Sequence, residues 1–374
     1  LGHNYLTQRL VNHENAVSTA SGIRWGVEGG INHLALHDFG IFKELYDYDL
    51  SVFDRVFGTD CADFLCNYVN TGCNSKVYNQ RICDRICDMS KTLAEASTVE
   101  EFMADMVQFY KDFGVGKLGL NKAFRIEHGK DGKPMIVPIT RIAHVNLDDL
   151  VGYEIPKQKL IENTEAFVRG RKANNCLLFG DAGTGKSSSI KGILNRYYDE
   201  GLRIIEVYKH QFQDLNDVIA QIKNRNYKFI LYMDDLSFEE FEIEYKYLKA
   251  VIEGGLEKKP DNILIYATSN RRHLVREKSG DKLEVADDED LHSSDTVQEK
   301  LSLVYRFGVR IYFGAPNKKE FQNIVTTLAE RYGVTMPAEE LLMKANAWEL
   351  SHGGLTGRTA QQFIDHVLGT SEEQ

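Results

Sequence analysis

The tightest constraint on how this chain can fold is the segment Gly180-Asp181-Ala182-Gly183-Thr184-Gly185-Lys186-Ser187. Before it, Cys176 to Phe179 is a short apolar run that reads as a strand. After it, Ser187 to Tyr198 reads as a helix. The glycines let the backbone curl until successive N–H groups point inward, at a helix N-terminus that already favours anions. A strand, a tight loop and a helix are required in that order, and the loop they leave is a cradle for phosphate.

From about residue 145 the pattern alternates strand with helix. Leu202 to Val207 is a strand, followed by a helix through Leu215, Val218, Ile219 and Ile222. Phe229 to Met233 and Ile263 to Ala267 are apolar runs of the kind buried on both faces of a parallel sheet, with a helix around Tyr245 to Ile252 between them. Val309 to Phe313 is the last strand. Such alternation predicts a parallel sheet with crossover helices. Beyond Pro316 only helical patterns remain, at about 317–332, 337–350 and 356–368.

The first 120 residues read as mainly helical. Val99, Phe102, Met103, Met106, Phe109, Tyr110 and Phe113 form one apolar stripe of an amphipathic helix, and Gly114-Val115-Gly116 is expected to end the helical region. Apolar residues on either side of Asp131-Gly132 predict a β-hairpin that bridges to the alternating α/β region. The expected organisation is a helical N-terminal domain (1–120), a hairpin linker (121–145), an α/β nucleotide-binding subdomain (146–315) and a helical lid (316–374).

Composition narrows the function classes. At 43% hydrophobic the chain can bury an ordinary core, and it holds no apolar run long enough to span a membrane. A formal charge of −10 argues against broad, non-specific nucleic-acid binding, which needs basic surface. Six cysteines without a CxxC pair fit a reducing cytoplasm. Cys83 and Cys87, one helical turn apart, could share a metal, but no His or carboxylate completes a ligand set, so they read as small hydrophobes. The start, Leu1-Gly2-His3-Asn4, reads as a trimmed N-terminus and not as a signal peptide. The acidic stretch from Arg276 to Thr296 reads as a solvated loop.

The cradle is a complete Walker A motif, so the expected ligands are ATP and Mg²⁺. Lys186 reaches the β- and γ-phosphates, and Ser187 offers its hydroxyl to the metal. Ile230-Leu231-Tyr232-Met233-Asp234-Asp235 is an apolar strand ending in two carboxylates and reads as Walker B. Asp234 is expected to hold Mg²⁺ and Asp235 to polarise the attacking water. Asn270, at the end of a third strand, could reach the γ-phosphate. Arg306 lies just before the last strand and Arg358 at the start of the last helix.

This order resembles that of an AAA+ ATPase from about residue 145 to 369. The resemblance implies a P-loop NTPase fold and an oligomeric ATPase. Asp149-Leu150-Val151-Gly152-Tyr153-Glu154 is similar to the segment that packs on adenine in that superfamily, which adds Val151 and Gly152, and with them Ser188 of the loop, to the nucleotide contacts. Asn270 matches sensor 1, Arg306 the arginine finger and Arg358 the sensor 2 arginine of the lid. More narrowly, Asn174 to Phe179, Asp234 to Glu239 and Ala267 to Leu274 are similar to a bacterial AAA+ group known as domain of unknown function 815. Walker B usually ends Asp-Glu in AAA+ proteins. Here the second acid is shorter by about one C–C bond, which points to slow hydrolysis, with Glu239 or Glu240 as conceivable helpers.

An arginine finger acts on a neighbour's site, so the resemblance implies a homo-oligomeric ring or spiral with Arg306 working in trans. Three tasks compete. A threading unfoldase needs an aromatic–hydrophobic–Gly pore loop, and Tyr208 to Asp214 has no such triplet. A DNA-associated initiator or loader would draw its basic surface from Arg169, Lys172, Arg271, Arg272 and Lys278. A slow nucleotide-dependent switch would hold a protein partner through the N-terminal helices. A small-molecule kinase on a P-loop fold would need neither Arg306 nor Arg358.

Overall fold

The computed structural model describes residues 2–14, 18, 30–62, 80–237, 244–253, 260–270 and 302–371. The chain divides into two compact units, Leu1–Phe124 with Val137–Ile142, and Arg125–Ile136 with Ala143–Gln374.

The first unit is built on helices α1 (Gly2–Asn12), α2 (Gly30–Asp47), α3 (Ser51–Phe57), α4 (Gln80–Glu95), α5 (Val99–Phe113) and α6 (Gly116–Leu120). Its core joins Leu10, Phe39, Leu93, Phe102, Met106 and Tyr110. The stripe on α5 behaves as its spacing predicts, with Phe102, Met106, Phe109 and Tyr110 buried. Thr98 caps this helix by accepting from the Glu101 N–H at 3.2 Å, and the Glu101 carboxylate accepts from the Ser97 N–H at 2.8 Å. Helical structure does not end at Gly114-Val115-Gly116 as expected. The chain re-enters a short turn, α6, because Leu118 and Leu120 have core to fill. Cys83 and Cys87 are partly buried, and the described residues hold no cluster of three or more metal-ligating side chains.

The second unit carries a seven-stranded sheet. Its elements are β1 (Ala123–His128), β2 (Pro134–Pro138), α7 (Glu154–Val168), β3 (Cys176–Gly180), α8 (Lys186–Tyr197), β4 (Leu202–Glu206), α9 (Leu215–Ile222), β5 (Lys228–Met233), α10 (Glu244–Glu253), β6 (Ile263–Ser269) and β7 (Val309–Phe313). The strand order is β2-β1-β4-β5-β6-β3-β7, and the five strands β3 to β7 run parallel. The apolar runs are explained by depth: every residue of β6 is buried, as are all but the first of β5. The hairpin is more than a bridge, since its strands extend this sheet beyond β4. Gln211 Nε2 donates to the Ile126 carbonyl at 3.0 Å and Gln221 Nε2 to the Pro134 carbonyl at 2.9 Å, tying it down.

Helix α7 has no clear signature in the sequence because part of its buried face is polar. Lys157, Asn163 and Thr164 are buried there with Leu160 and Phe167. Asn163 Nδ2 donates to the Asn174 carbonyl at 2.8 Å and to Tyr266 Oη at 2.9 Å, so the helix docks partly through hydrogen bonds.

Three helices complete the unit: α11 (Lys318–Arg331), α12 (Ala338–Ser351) and α13 (Gly357–Ser371). They close over their own core of Phe321, Val325, Ala345, Ala360 and Ile364. Asn317 starts α11 with a capping box: its side chain accepts from the Lys319 and Glu320 N–H groups, and Glu320 accepts from the Asn317 N–H. No helix among the described residues is long and apolar enough to cross a membrane.

Candidate nucleotide site

Register sets the site. Gly180 pairs with Phe313, Phe179 with Ser269 and Met233 with Ala267, so the C-terminal ends of β3, β5, β6 and β7 lie side by side. That edge is where open parallel sheets collect ligands. At Gly180 the backbone runs so close to β7 that a Cβ would lie 2.1 Å from the Phe313 carbonyl oxygen, and its φ of 134° also requires glycine. The Asp181 N–H donates to the same oxygen at 3.0 Å, and Asp181 Oδ2 accepts from the Ala315 N–H at 2.7 Å. Gly183 and Gly185 carry the loop through left-handed turns into α8.

Lys186 is 6% exposed. Its Nζ donates to the Gly180 carbonyl at 3.1 Å and the Asp181 carbonyl at 2.5 Å, so the ammonium spans the cradle. Burial pushes its pKa down against the pull of Asp181, Asp235 and Asp234. An anion arriving at the loop would relieve that unfavourable burial.

Across the cradle lie the two carboxylates. Asp234 Oδ1 accepts three hydroxyl hydrogen bonds, from Thr268 at 2.5 Å, Ser187 at 2.8 Å and Tyr232 at 2.8 Å. Burial alone would raise the Asp234 pKa, but these bonds and the Asp235 N–H outweigh it and hold the carboxyl below its ordinary value. Asp235 has a left-handed backbone, φ 50°, and its carboxylate accepts from Asn270 Nδ2 at 2.8 Å. Hydroxyl and carboxylate oxygens of this kind are the hard donors that suit Mg²⁺, and Ser187 and Asp234 already meet.

One cavity of about 650 Å³ collects Val151, the loop from Ala182 to Ser188, Asp234, Asp235, Asn270 and Arg358. Gly152, Gly180 and Asp181 are not among its lining residues. The lid meets the loop directly, since the Arg358 N–H donates to the Gly183 carbonyl at 3.2 Å. Arg306 is the predicted residue that stays apart. Its guanidinium pairs with Glu253 and donates to the Ser302 carbonyl at 2.9 Å. Glu239, Glu240, Arg271, Arg272, Lys278 and the acidic stretch to Thr296 lie outside the described residues.

Sequence reasoning missed several contributors. Thr268 could have been found as a polar residue at the end of an apolar strand. Ile324 and Leu328 join Tyr153, already in the segment similar to an adenine-packing one, in an apolar wall of the cavity, and Gln361 and Gln362 add amides from α13. Tyr153 has a left-handed φ of 59°, its ring sits 5.5 Å from that of Phe313, and burial pushes its phenol up to about 12. The glutamines carry no signal that sequence alone could separate from an exposed helix face.

The parallel strands β3 to β7, the cradle at their carboxyl edge and the helices after β7 are the α/β arrangement that the motif order predicts. The chain is similar to a point mutant of RuvB from Thermotoga maritima at 18% identity, covering 62% of this chain and 68% of that one with a TM-score of 0.41. It is also similar to the AAA domain of FIGL-1 in complex with ADP, at 16% identity over 62% of this chain and 76% of that one, with a TM-score of 0.42. A comparison with curated proteins gives no match. The family model described as "Protein of unknown function (DUF815)" matches residues 120–371. With two thirds of its length matched, from the hairpin to the end of the lid, this chain belongs to that family.

Proposed function

We propose that the second unit binds ATP with Mg²⁺ and hydrolyses it slowly to ADP and phosphate. The observation that carries this reading is the meeting of the cradle with the carboxylates: Ser187 Oγ donates to Asp234 Oδ1 at 2.8 Å, and both line one cavity with Lys186. Gly183, Thr184 and Gly185 present backbone N–H groups to the β-phosphate, and Lys186 meets the β- and γ-phosphates. Ser187 and Asp234 hold the cation, which when bound neutralises charge building on the phosphates. Asp235, oriented by Asn270, accepts the proton of the attacking water, and Arg358 bears on the γ-phosphate from the lid.

Arg306 acts in trans in this reading, within a ring or spiral of identical subunits. Arg306 is not among the residues lining the chain's own cavity and pairs with Glu253, which favours that role, because a guanidinium serving the cis site would line it. Charge neutralisation by such a residue is worth roughly 10³–10⁵ in rate.

For the client, a protein held by the first unit is favoured over DNA. Leu34, Val56 and Phe57 are each 68–69% exposed on α2 and α3, while Arg169, one of the basic residues a DNA surface would need, is paired with Glu165. Free thiols at Cys61, Cys87 and Cys176 suit a cytoplasmic setting. Binding to DNA would show a steep salt dependence, and its appearance would reverse the choice of client.

Phosphate release from ATP tests the catalytic assignment. Asp235→Asn is expected to keep ATP affinity within a few-fold and to lose about 10²–10⁴ in turnover. Turnover unchanged in that variant would remove Asp235 from the mechanism.

A further inference from the structure

Thr268 sits on the last rungs of β6, beside Leu178 of β3 and one residue beyond the Ala267–Met233 pair. It is 1% exposed, so water does not compete for its hydroxyl. That hydroxyl has one proton, and a carboxylate can only accept. The 2.5 Å contact with Asp234 Oδ1 therefore takes the proton, which leaves an oxygen lone pair to accept the Asp235 N–H at 3.0 Å. The Thr268 carbonyl also accepts the Leu236 N–H at 2.7 Å. One residue thus fixes the Asp234 carboxylate and both peptide N–H groups that flank the Asp235 α-carbon.

We propose that Thr268 is the positioning residue for the Asp234–Asp235 pair, a role that rests on the ATP–Mg²⁺ reading above. Asp235 has φ 50°, a left-handed backbone that aspartate enters more readily than most residues but still at a cost. The two N–H bonds to Thr268 hold it there. Asn270 then aims the side chain through its 2.8 Å bond to Asp235 Oδ1. A second acid one C–C bond shorter than glutamate has little reach, so its direction must come from the main chain. Threonine suits the task because branching at Cβ restricts its rotamers, which keeps the hydroxyl aimed at Asp234. When Ser187 turns its oxygen to a cation, Thr268 and Tyr232 still bind Asp234 Oδ1.

The test compares Thr268→Val, which keeps the shape and loses the hydroxyl, with Thr268→Ser, which keeps the hydroxyl. Three properties are read in the full chain: kcat and KM for ATP, Mn²⁺ affinity in the presence of ADP, and amide exchange of residues 234–236 without nucleotide. For Thr268→Val we expect kcat to fall about 10²-fold, as misplacement on the ångström scale does. KM should change little, Mn²⁺ should bind more weakly, and the Asp235 amide should exchange at least ten-fold faster. Thr268→Ser should restore all three to within a few-fold. Wild-type kcat and exchange in Thr268→Val overturn the proposal, and a Thr268→Ser variant as damaged as the valine one reduces Thr268 to packing. If the unsubstituted chain fails to bind ATP with Mg²⁺, the nucleotide reading falls, while amide exchange in the nucleotide-free chain still judges Thr268.

Discussion

Gly180 shows how a single residue can be fixed by a neighbouring strand and not by its own loop. A methyl group there would overlap the Phe313 carbonyl oxygen at 2.1 Å, so Gly180→Ala must push β3 and β7 apart at the site's edge. A loss of stability of about 1–3 kcal/mol or more is expected in urea unfolding, with an unchanged midpoint as the contrary result. Asp234 makes a pH-dependent contribution. Its folded pKa lies below its unfolded one, so the stabilisation is complete above the ordinary carboxylate range and disappears as pH falls through the folded value. The stability gap between wild type and Thr268→Val should therefore narrow in acid, and a gap independent of pH would contradict this. At this scale the sequence exposed the residues proposed to meet phosphate and metal, because Gly-Lys-Ser and Asp-Asp are local patterns. The part played by Thr268 was hidden because it comes from register and from the backbone φ of Asp235, which neighbours in space decide.

Among the elements, the lid is tied directly to the site. Arg331 on α11 donates to the Asp149 carbonyl at 2.9 Å, and Asp149 lines the cavity, so the lid helices hold one wall of the site. Asn317→Ala removes the acceptor for two N–H groups at the start of α11 and should cost about 1 kcal/mol. Thermal unfolding would report that loss, and a looser lid should weaken nucleotide binding before it slows turnover. Strands β3, β5 and β6 were legible because burial on both faces gives unbroken apolar runs. Helix α7 was not, since Asn163 and Thr164 put polar groups on its buried side and broke the 3.6-residue pattern. The hairpin was legible as a hairpin, through Asp131-Gly132 and the positive φ of Gly132 at 74°. Its membership of the sheet depended on Gln211 and Gln221, which are remote in sequence.

For the whole molecule, the distinguishing expectation is that activity depends on assembly. Specific ATPase activity of the wild type should rise with protein concentration, and Arg306→Ala should stay low and flat across the same range. Equal, concentration-independent activities in the two would place Arg306 outside the reaction. Glu253 pairs with that guanidinium, so in the trans reading a neighbour's site competes with this ion pair for it. The central claim itself is nucleotide binding at the cradle, and calorimetric titration of ATP with Mg²⁺ tests it most directly. Lys186→Ala removes the charged donor facing the phosphates and should weaken binding by about 10–100-fold, in line with roughly 1.5–3 kcal/mol for a charged hydrogen bond. Saturable heat in the wild type, much reduced in Lys186→Ala, is the predicted result. No binding in the wild type, or equal binding in both, would contradict it.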